Sequence, residues 1–298
     1  MRLLQVARLI ACAAAIVVAH PATAQPFATP RPSPGAKLTQ TVGTTDLTVN
    51  YSRPGVKGRP IWGALVPYGA PWRTGANEAT QFICSDEITI EGQKLAAGTY
   101  ALVTIPSADS WVVAFSTQKE MWGAFAYEPK NDAIRVTVKP VAAEHVERMQ
   151  FTFDDPTTDA TVMNLRWEKL SVPVRITVDT NGKTLAAART AIAAAKPDDW
   201  RTPFRAASWA FDNSVAPDDA AVWAQSAAKV KDNFQTAGLL ARMAAKGGDT
   251  KNAVVLMKKS ITFGKADTTV AKEQVENYEK LLAEWSPAAV PAKGGKKK

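Results

Sequence analysis

The sequence predicts an α+β chain: an antiparallel β-sandwich (jelly-roll-like) domain followed by a small all-α domain of helical hairpins. Two observations carry this. Across residues 37 to 180 apolar positions alternate in the strand manner between Gly, Pro and Asp clusters that read as turns, and no helical period interrupts them. After Asn181-Gly182 the composition turns alanine-rich and apolar residues recur at three and four, with breaks at Pro197, Pro217, Gly247-Gly248 and Gly264. Without helices between the strands, a parallel βαβ sheet is excluded. The length of 298 residues, 46% of them hydrophobic and 21% charged, suits a folded chain of about two domains.

The chain opens with the marks of an export leader. Arg2 and Arg8 give a basic start, Leu9 to Ala19 an apolar stretch, and Ala22-Thr23-Ala24 a small-x-small cleavage pattern. Residues 1–24 are therefore read as a signal peptide, with a mature start at Gln25 and a periplasmic or secreted destination. The apolar stretch is short of the roughly twenty residues a membrane span requires, and lipoprotein processing at Cys12 is disfavoured because Arg8 interrupts the run before it. Removing the leader leaves Cys84 and His145 as the remaining cysteine and histidine. The exported chain must then hold itself together by packing, with Cys84 as a small buried strand residue.

A Pro-rich segment, 25–36, precedes the β domain, 37–182. Leu47, Val49 and Tyr51 share one strand face. Further strands are expected at Gln81–Cys84, Glu87–Ile90, Thr99–Ile105, Trp111–Ser116, Ile134–Val138, Met149–Phe153, Val162–Trp167 and Val172–Val178, at the spacing of a sandwich.

In the helical part, 183–285, Ala220, Trp223, Ala224 and Ala227 align with Ala253, Leu256, Met257 and Ser260 at an offset of 33. Gly247-Gly248-Asp249 falls at a turn between two helices. The pattern resembles a degenerate tetratricopeptide-type hairpin repeat, whose usual period is about 34. With only two units visible, a helical add-on is a better expectation than a long peptide groove, and docking of a protein partner on this domain is the competing reading. Residues 286–298, with Pro287, Pro291, Gly294-Gly295 and a run of lysines, lack the material for a core and are expected to form a disordered tail.

The formal charge of +8 is concentrated in that helical half. Residues 25–182 carry 15 basic and 16 acidic side chains, and residues 183–298 carry 19 and 12, four of the basic ones being tail lysines. No basic face interleaved with stacking aromatics emerges, so a nucleic-acid partner is not expected. Within the β domain, residues 47–85 hold Arg53, Lys57, Arg59 and Arg73 against Glu78, together with Tyr51, Trp62, Tyr68, Trp72 and five glycines. A long aromatic, glycine-rich loop inside a folded domain tends to be functional.

Tyr51-Ser52-Arg53-Pro54, Gly58-Arg59, Leu65 to Gly69, the run from Trp72 to Thr80, Gly98-Thr99-Tyr100 and Trp122-Gly123 together resemble an uncharacterised exported bacterial family, domain of unknown function twenty-nine-eleven. The resemblance covers roughly Pro34 to Val178. It implies an exported β domain, often with a tetratricopeptide-like C-terminal extension, and brings no substrate or catalytic residue with it.

Side-chain chemistry narrows the function classes. One histidine in the mature chain cannot build a multi-histidine zinc site, no EF-hand loop occurs, and no phosphate-cradling glycine loop is present, so no metal and no cofactor is expected. His145, in the charged stretch Ala143–Glu147, is read as a surface residue of a connector between strands. The remaining enzymatic route uses carboxylates, with Glu78 as the candidate acid or base. Structure competes with it: Arg73 and Glu78, across a Thr-Gly turn with Asn77, form a candidate ion pair that ties the loop down. Trp111 and Trp167 are expected in the core. Trp62 and Trp72 are candidate contact residues.

The expectation is thus an exported, non-catalytic binding or envelope-associated module for an anionic small molecule or a carbohydrate-like ligand. Its candidate site is Tyr51, Arg53, Arg59, Trp62, Trp72, Arg73, Asn77 and Glu78, centred on Arg53 and Arg73. The alternatives are a metal-independent, carboxylate-dependent hydrolase or isomerase acting on an envelope sugar, and protein docking through the helical repeats.

Overall fold

A computed structural model describes residues 29–286. The expected leader, residues 25–28 and the tail beyond Ser286 lie outside the described residues.

The β half contains strands β1 (Gly35–Val42), β2 (Thr45–Ser52), β3 (Gln81–Cys84), β4 (Ile88–Ile90), β5 (Gln93–Leu95), β6 (Gly98–Pro106), β7 (Trp111–Ser116), β8 (Asp132–Val138), β9 (Val141–Asp154) and β10 (Ala160–Thr177). They form two antiparallel sheets, ordered β1-β2-β3-β6-β7-β8 and β5-β4-β10-β9. The chain leaves the first sheet after β3, gives the β4–β5 hairpin to the second, and returns at β6. Alternation decides what is buried. Leu47 and Val49 of β2, Phe82 of β3, Leu102 of β6 and Phe115 of β7 share one core with Ile90 of β4, Met149 and Phe151 of β9 and Met163 and Leu165 of β10. Residues from both sheets thus enclose one apolar layer, and each such side chain contributes about 1.5–3 kcal/mol of burial.

Two segments differ from the sequence expectation. The strands expected at Val162–Trp167 and Val172–Val178 are halves of the single strand β10, whose register against β9 shifts on either side of Glu168. Glu168 has φ 54°, so the polar pair Glu168-Lys169 is a bulge that bends the ladder without ending it. The stretch Ala143–Glu147, expected as a connector, is the first half of β9. Being the outermost strand of its sheet, β9 leaves Glu144, His145 and Glu147 exposed to water, which a charged edge strand tolerates.

Six helices follow: α1 (Thr180–Ala193), α2 (Arg201–Asp212), α3 (Pro217–Val230), α4 (Phe234–Lys246), α5 (Thr250–Ala266) and α6 (Lys272–Trp285). Asn181-Gly182, after which the composition changes, lies in the first turn of α1. The Asp179 carboxylate caps the helix by accepting from the Gly182 N–H at 2.9 Å. Lys183, one residue on, fastens α1 to the β domain by donating to Thr45 Oγ1 at 3.0 Å and to the Glu87 carbonyl at 2.9 Å.

Helices α2 and α3 pack as one antiparallel pair and α4 and α5 as another, with α6 against α5. The offset of 33 read in the sequence is structural: Ala220, Trp223, Ala224 and Ala227 are buried on α3, and Ala253, Met257 and Ser260 on α5. Ser260 is tolerated there because its hydroxyl donates to the Phe234 carbonyl at 2.6 Å.

Candidate functional site

The loop from Arg53 to Thr80 is built by backbone-directed bonds. Arg53 Nε donates to the Met149 carbonyl at 3.0 Å and its Nη2 to Gln150 Oε1 at 3.3 Å, which ties the loop to β9. Arg59 turns back on its own segment, donating to the carbonyls of Val56 at 3.0 Å and Gly55 at 2.6 Å. That closes a turn in which Lys57 and Gly58 both take positive φ. Farther on, Trp72 exchanges backbone bonds with Thr104 of β6, and Thr80 Oγ1 donates to the Thr74 carbonyl at 2.6 Å.

These contacts redistribute the residues proposed from the sequence. Trp72 is 9% exposed, and Trp62 packs beside it in a cluster with Trp111 and Trp167. Trp62 meets Trp111 edge-on, centroids 5.0 Å apart, and Trp72 stacks on Trp167. Both loop tryptophans are therefore core residues rather than walls of a pocket. The long loop supplies side chains that close the core where the strands end. Burial of these rings exceeds what a solvent-facing contact would gain. The indole N–H groups of Trp62, Trp111 and Trp167 are buried without a hydrogen-bond partner.

The Arg73–Glu78 pair does not form. Glu78 instead pairs with Arg31, whose Nη1 lies 2.9 and 2.8 Å from the two carboxylate oxygens, with the two side chains 57% and 55% exposed. Thr74, with φ 55°, and Asn77, with φ 59°, turn the backbone between positions 73 and 78. Arg73 is half-buried with its Nε unpaired, and burial lowers its pKa from the usual arginine value. Asn77 Nδ2 donates to the Ser33 carbonyl and to Ser52 Oγ, each at 3.1 Å. Tyr51 turns its ring edge-on to Phe151 and its hydroxyl accepts from the Phe151 N–H at 3.2 Å. The three arginines thus do not converge.

What the fold assembles is a cleft of about 660 Å³ beside β1, β2 and β3. Asn50, Ser52 and Gln81 line it from strand positions that alternate with the core residues Val49 and Phe82. Arg31, Glu78 and the segment Lys119–Trp122, from the connection between β7 and β8, complete the lining. Glu78 and Trp122 are neighbours there through a backbone bridge, with the Ala79 N–H donating to the Met121 carbonyl at 3.0 Å. Ala79 and Met121 anchor that segment over Ala101, Val103 and Ala114. With its neighbour held, the Trp122 ring remains 71% exposed.

Of the sequence-proposed residues, Tyr51 and Glu78 line the cleft and Asn77 braces it through Ser52. Arg53, Arg59, Trp62, Trp72 and Arg73 do not line it. Sequence reasoning missed Arg31, Lys119, Glu120 and Trp122. The available signal was Trp122-Gly123 itself, a bulky ring in a polar stretch with no strand alternation around it. The charges balance, Arg31 and Lys119 against Glu78 and Glu120. Glu78 is held below the usual carboxylate pKa, first by its own backbone N–H and then by Arg31.

Among the described residues no group of three or more His, Cys, Asp and Glu side chains could hold a metal ion, and no helix is long and apolar enough to cross a membrane. A family model described as a protein of unknown function, DUF2911, matches residues 33–176. No curated protein and no solved structure matches the chain.

Proposed function

Since residues 33–176 belong to the DUF2911 family, for which no activity is defined, we propose from the side chains alone that the β domain is a non-catalytic module binding a carbohydrate-like ligand in the cleft. The observation that carries this is Trp122, 71% exposed, which lines one cleft with Asn50, Ser52 and Gln81. An aromatic face with hydrogen-bonding groups around it suits a ring that is apolar on its faces and hydroxylated on its rim. The balanced charge supports a neutral sugar over a strongly anionic ligand. Titration of the purified chain with neutral oligosaccharides, followed by calorimetry, tests this; Trp122→Ala is expected to abolish the heat of binding and leave the melting temperature unchanged. Saturable binding that survives Trp122→Ala removes the assignment.

The hydrolase reading has one observation in its favour, the presence of Glu78 and Glu120 in one cleft. Exposure of Glu78 and its lowered pKa disfavour a general acid there, because a proton donor at neutral pH needs a raised pKa. Hydrolysis of an oligosaccharide that Glu78→Gln eliminates would favour it. The chain is further proposed to be exported with a mature start at Gln25, which an intact mass of the envelope-fraction protein checks. The two helical pairs, with their offset of 33, support a degenerate tetratricopeptide-like extension for which a protein partner is the proposed occupant.

A further inference from the structure

The segment just before β1 lies along one side of the cleft, pinned by four sets of bonds. Arg53 N–H donates to the Pro34 carbonyl at 2.9 Å, Asn77 Nδ2 to the Ser33 carbonyl at 3.1 Å and Arg148 Nη1 to the Pro32 carbonyl at 3.2 Å. Those three use only the segment's backbone. The fourth is made by a side chain: Arg31 Nη1 reaches both oxygens of Glu78. Prolines at 30, 32 and 34 fix φ and remove N–H donors at alternate positions, so the segment, which bends at Pro32-Ser33, does not extend the β1 ladder. Its construction places one cation on one cleft carboxylate.

An exposed ion pair of this kind is among the weakest contacts in a protein, and its partners exchange readily for other hydrogen-bonding groups. Arg31 gives Glu78 two N–H donors from one nitrogen. Two adjacent hydroxyls of a sugar offer an equivalent pair of donors to the same two oxygens. With the carbohydrate reading of the cleft as its premise, we propose that Glu78 is the acceptor for a vicinal diol of the ligand. Residues 29–34 are then a strap whose Arg31 occupies that acceptor until the ligand displaces it. The ligand class is a neutral sugar with adjacent free hydroxyls, one ring stacked on Trp122 and one diol on Glu78. The strap lowers the apparent affinity by the worth of the displaced pair, a factor of up to about five.

Calorimetric titration of the purified chain with cellotetraose and mannotetraose, each alongside its fully methylated form, tests the proposal. Arg31→Ala is expected to tighten binding of the free sugars about two- to fivefold, Glu78→Gln to weaken it about tenfold, and Arg31→Ala to have no effect once Glu78 is Gln. The methylated sugars, which lack O–H donors, should bind weakly to every variant. Circular dichroism confirms that each variant is folded. If Arg31→Ala leaves affinity unchanged or weakens it while Trp122→Ala abolishes binding, the strap is overturned and the carbohydrate reading stands. If neither sugar binds the wild type or Arg31→Ala, both are overturned.

Discussion

The indole of Trp72 stacks on that of Trp167, with centroids 5.9 Å apart and planes inclined by 20°, although one ring comes from the long loop after β2 and the other from β10. The loop is thereby part of the core that both sheets enclose, and its two tryptophans serve the fold.

Removal of that ring is expected to be costly. Trp72→Ala empties a space bounded by Trp62, Trp111 and Trp167 and also deletes the bond from its Nε1 to the Gly75 carbonyl, 3.0 Å long. A loss of about 3–5 kcal/mol in urea unfolding is expected, with a weakened near-ultraviolet dichroism. Trp122→Ala, at an exposed position, should stay within about 0.5 kcal/mol of the wild type. Similar losses in the two variants would contradict the division between core and cleft.

Lys183 couples the helical half to the sheets through Thr45 and the Glu87 carbonyl, with Asp86 Oδ2 3.8 Å away. Lys183→Met keeps the stem and removes the charge and all three donors. The expected cost is about 1–3 kcal/mol, because Thr45 is fully buried and loses its partner. Differential calorimetry should show the β transition moving down toward that of a fragment ending at Val178.

Two carboxylates give opposite pH signatures. Glu78 has its pKa lowered in the folded chain, so its contribution is present above the unfolded value and is lost as pH falls through the lowered one. Asp132 is raised, mainly by burial, against the Tyr127 hydroxyl that donates to its Oδ2 at 2.6 Å and the nearby Arg135. Its Oδ1 is buried without a partner. A raised folded pKa means a contribution that is present below the unfolded value and lost as pH rises through the folded one. In urea titrations from about pH 7 to about pH 3, bracketing the ordinary Asp value, the wild type should gain stability relative to Asp132→Asn as pH falls. A difference independent of pH would refute the assignment.

Gly264 of α5 lies tightly against side chains of both α4 and α6. A Cβ there would lie 2.7 Å from Phe234 Cδ2 and 2.8 Å from Val275 Cγ2, and its φ is not positive, so the constraint is purely steric. Gly264→Ala gains helix propensity and meets two packed side chains. A net loss of about 1–3 kcal/mol is expected, confined to the helical transition.

The sequence by itself determined the elements whose burial is a matter of local period. Gln81–Cys84 was legible as a strand because alternation marks one apolar face, Trp111–Ser116 because a short aromatic and β-branched apolar run suits a strand buried on both faces, and the α3 and α5 faces because an offset of 33 preserves helical phase. The bulge at Glu168-Lys169, which joins two expected strands into one, and the edge strand that carries His145 were not legible, since both look polar in one dimension. The site was decided only by the tertiary structure. Arg31 and Glu78 are 47 positions apart, and Trp122 reaches Glu78 through a backbone bridge; charge and aromatic counts over Arg53 to Glu78 contain neither contact. Local sequence fixes which way a side chain faces along its own element, whereas a cleft forms between elements whose separation is set by the packing of the core.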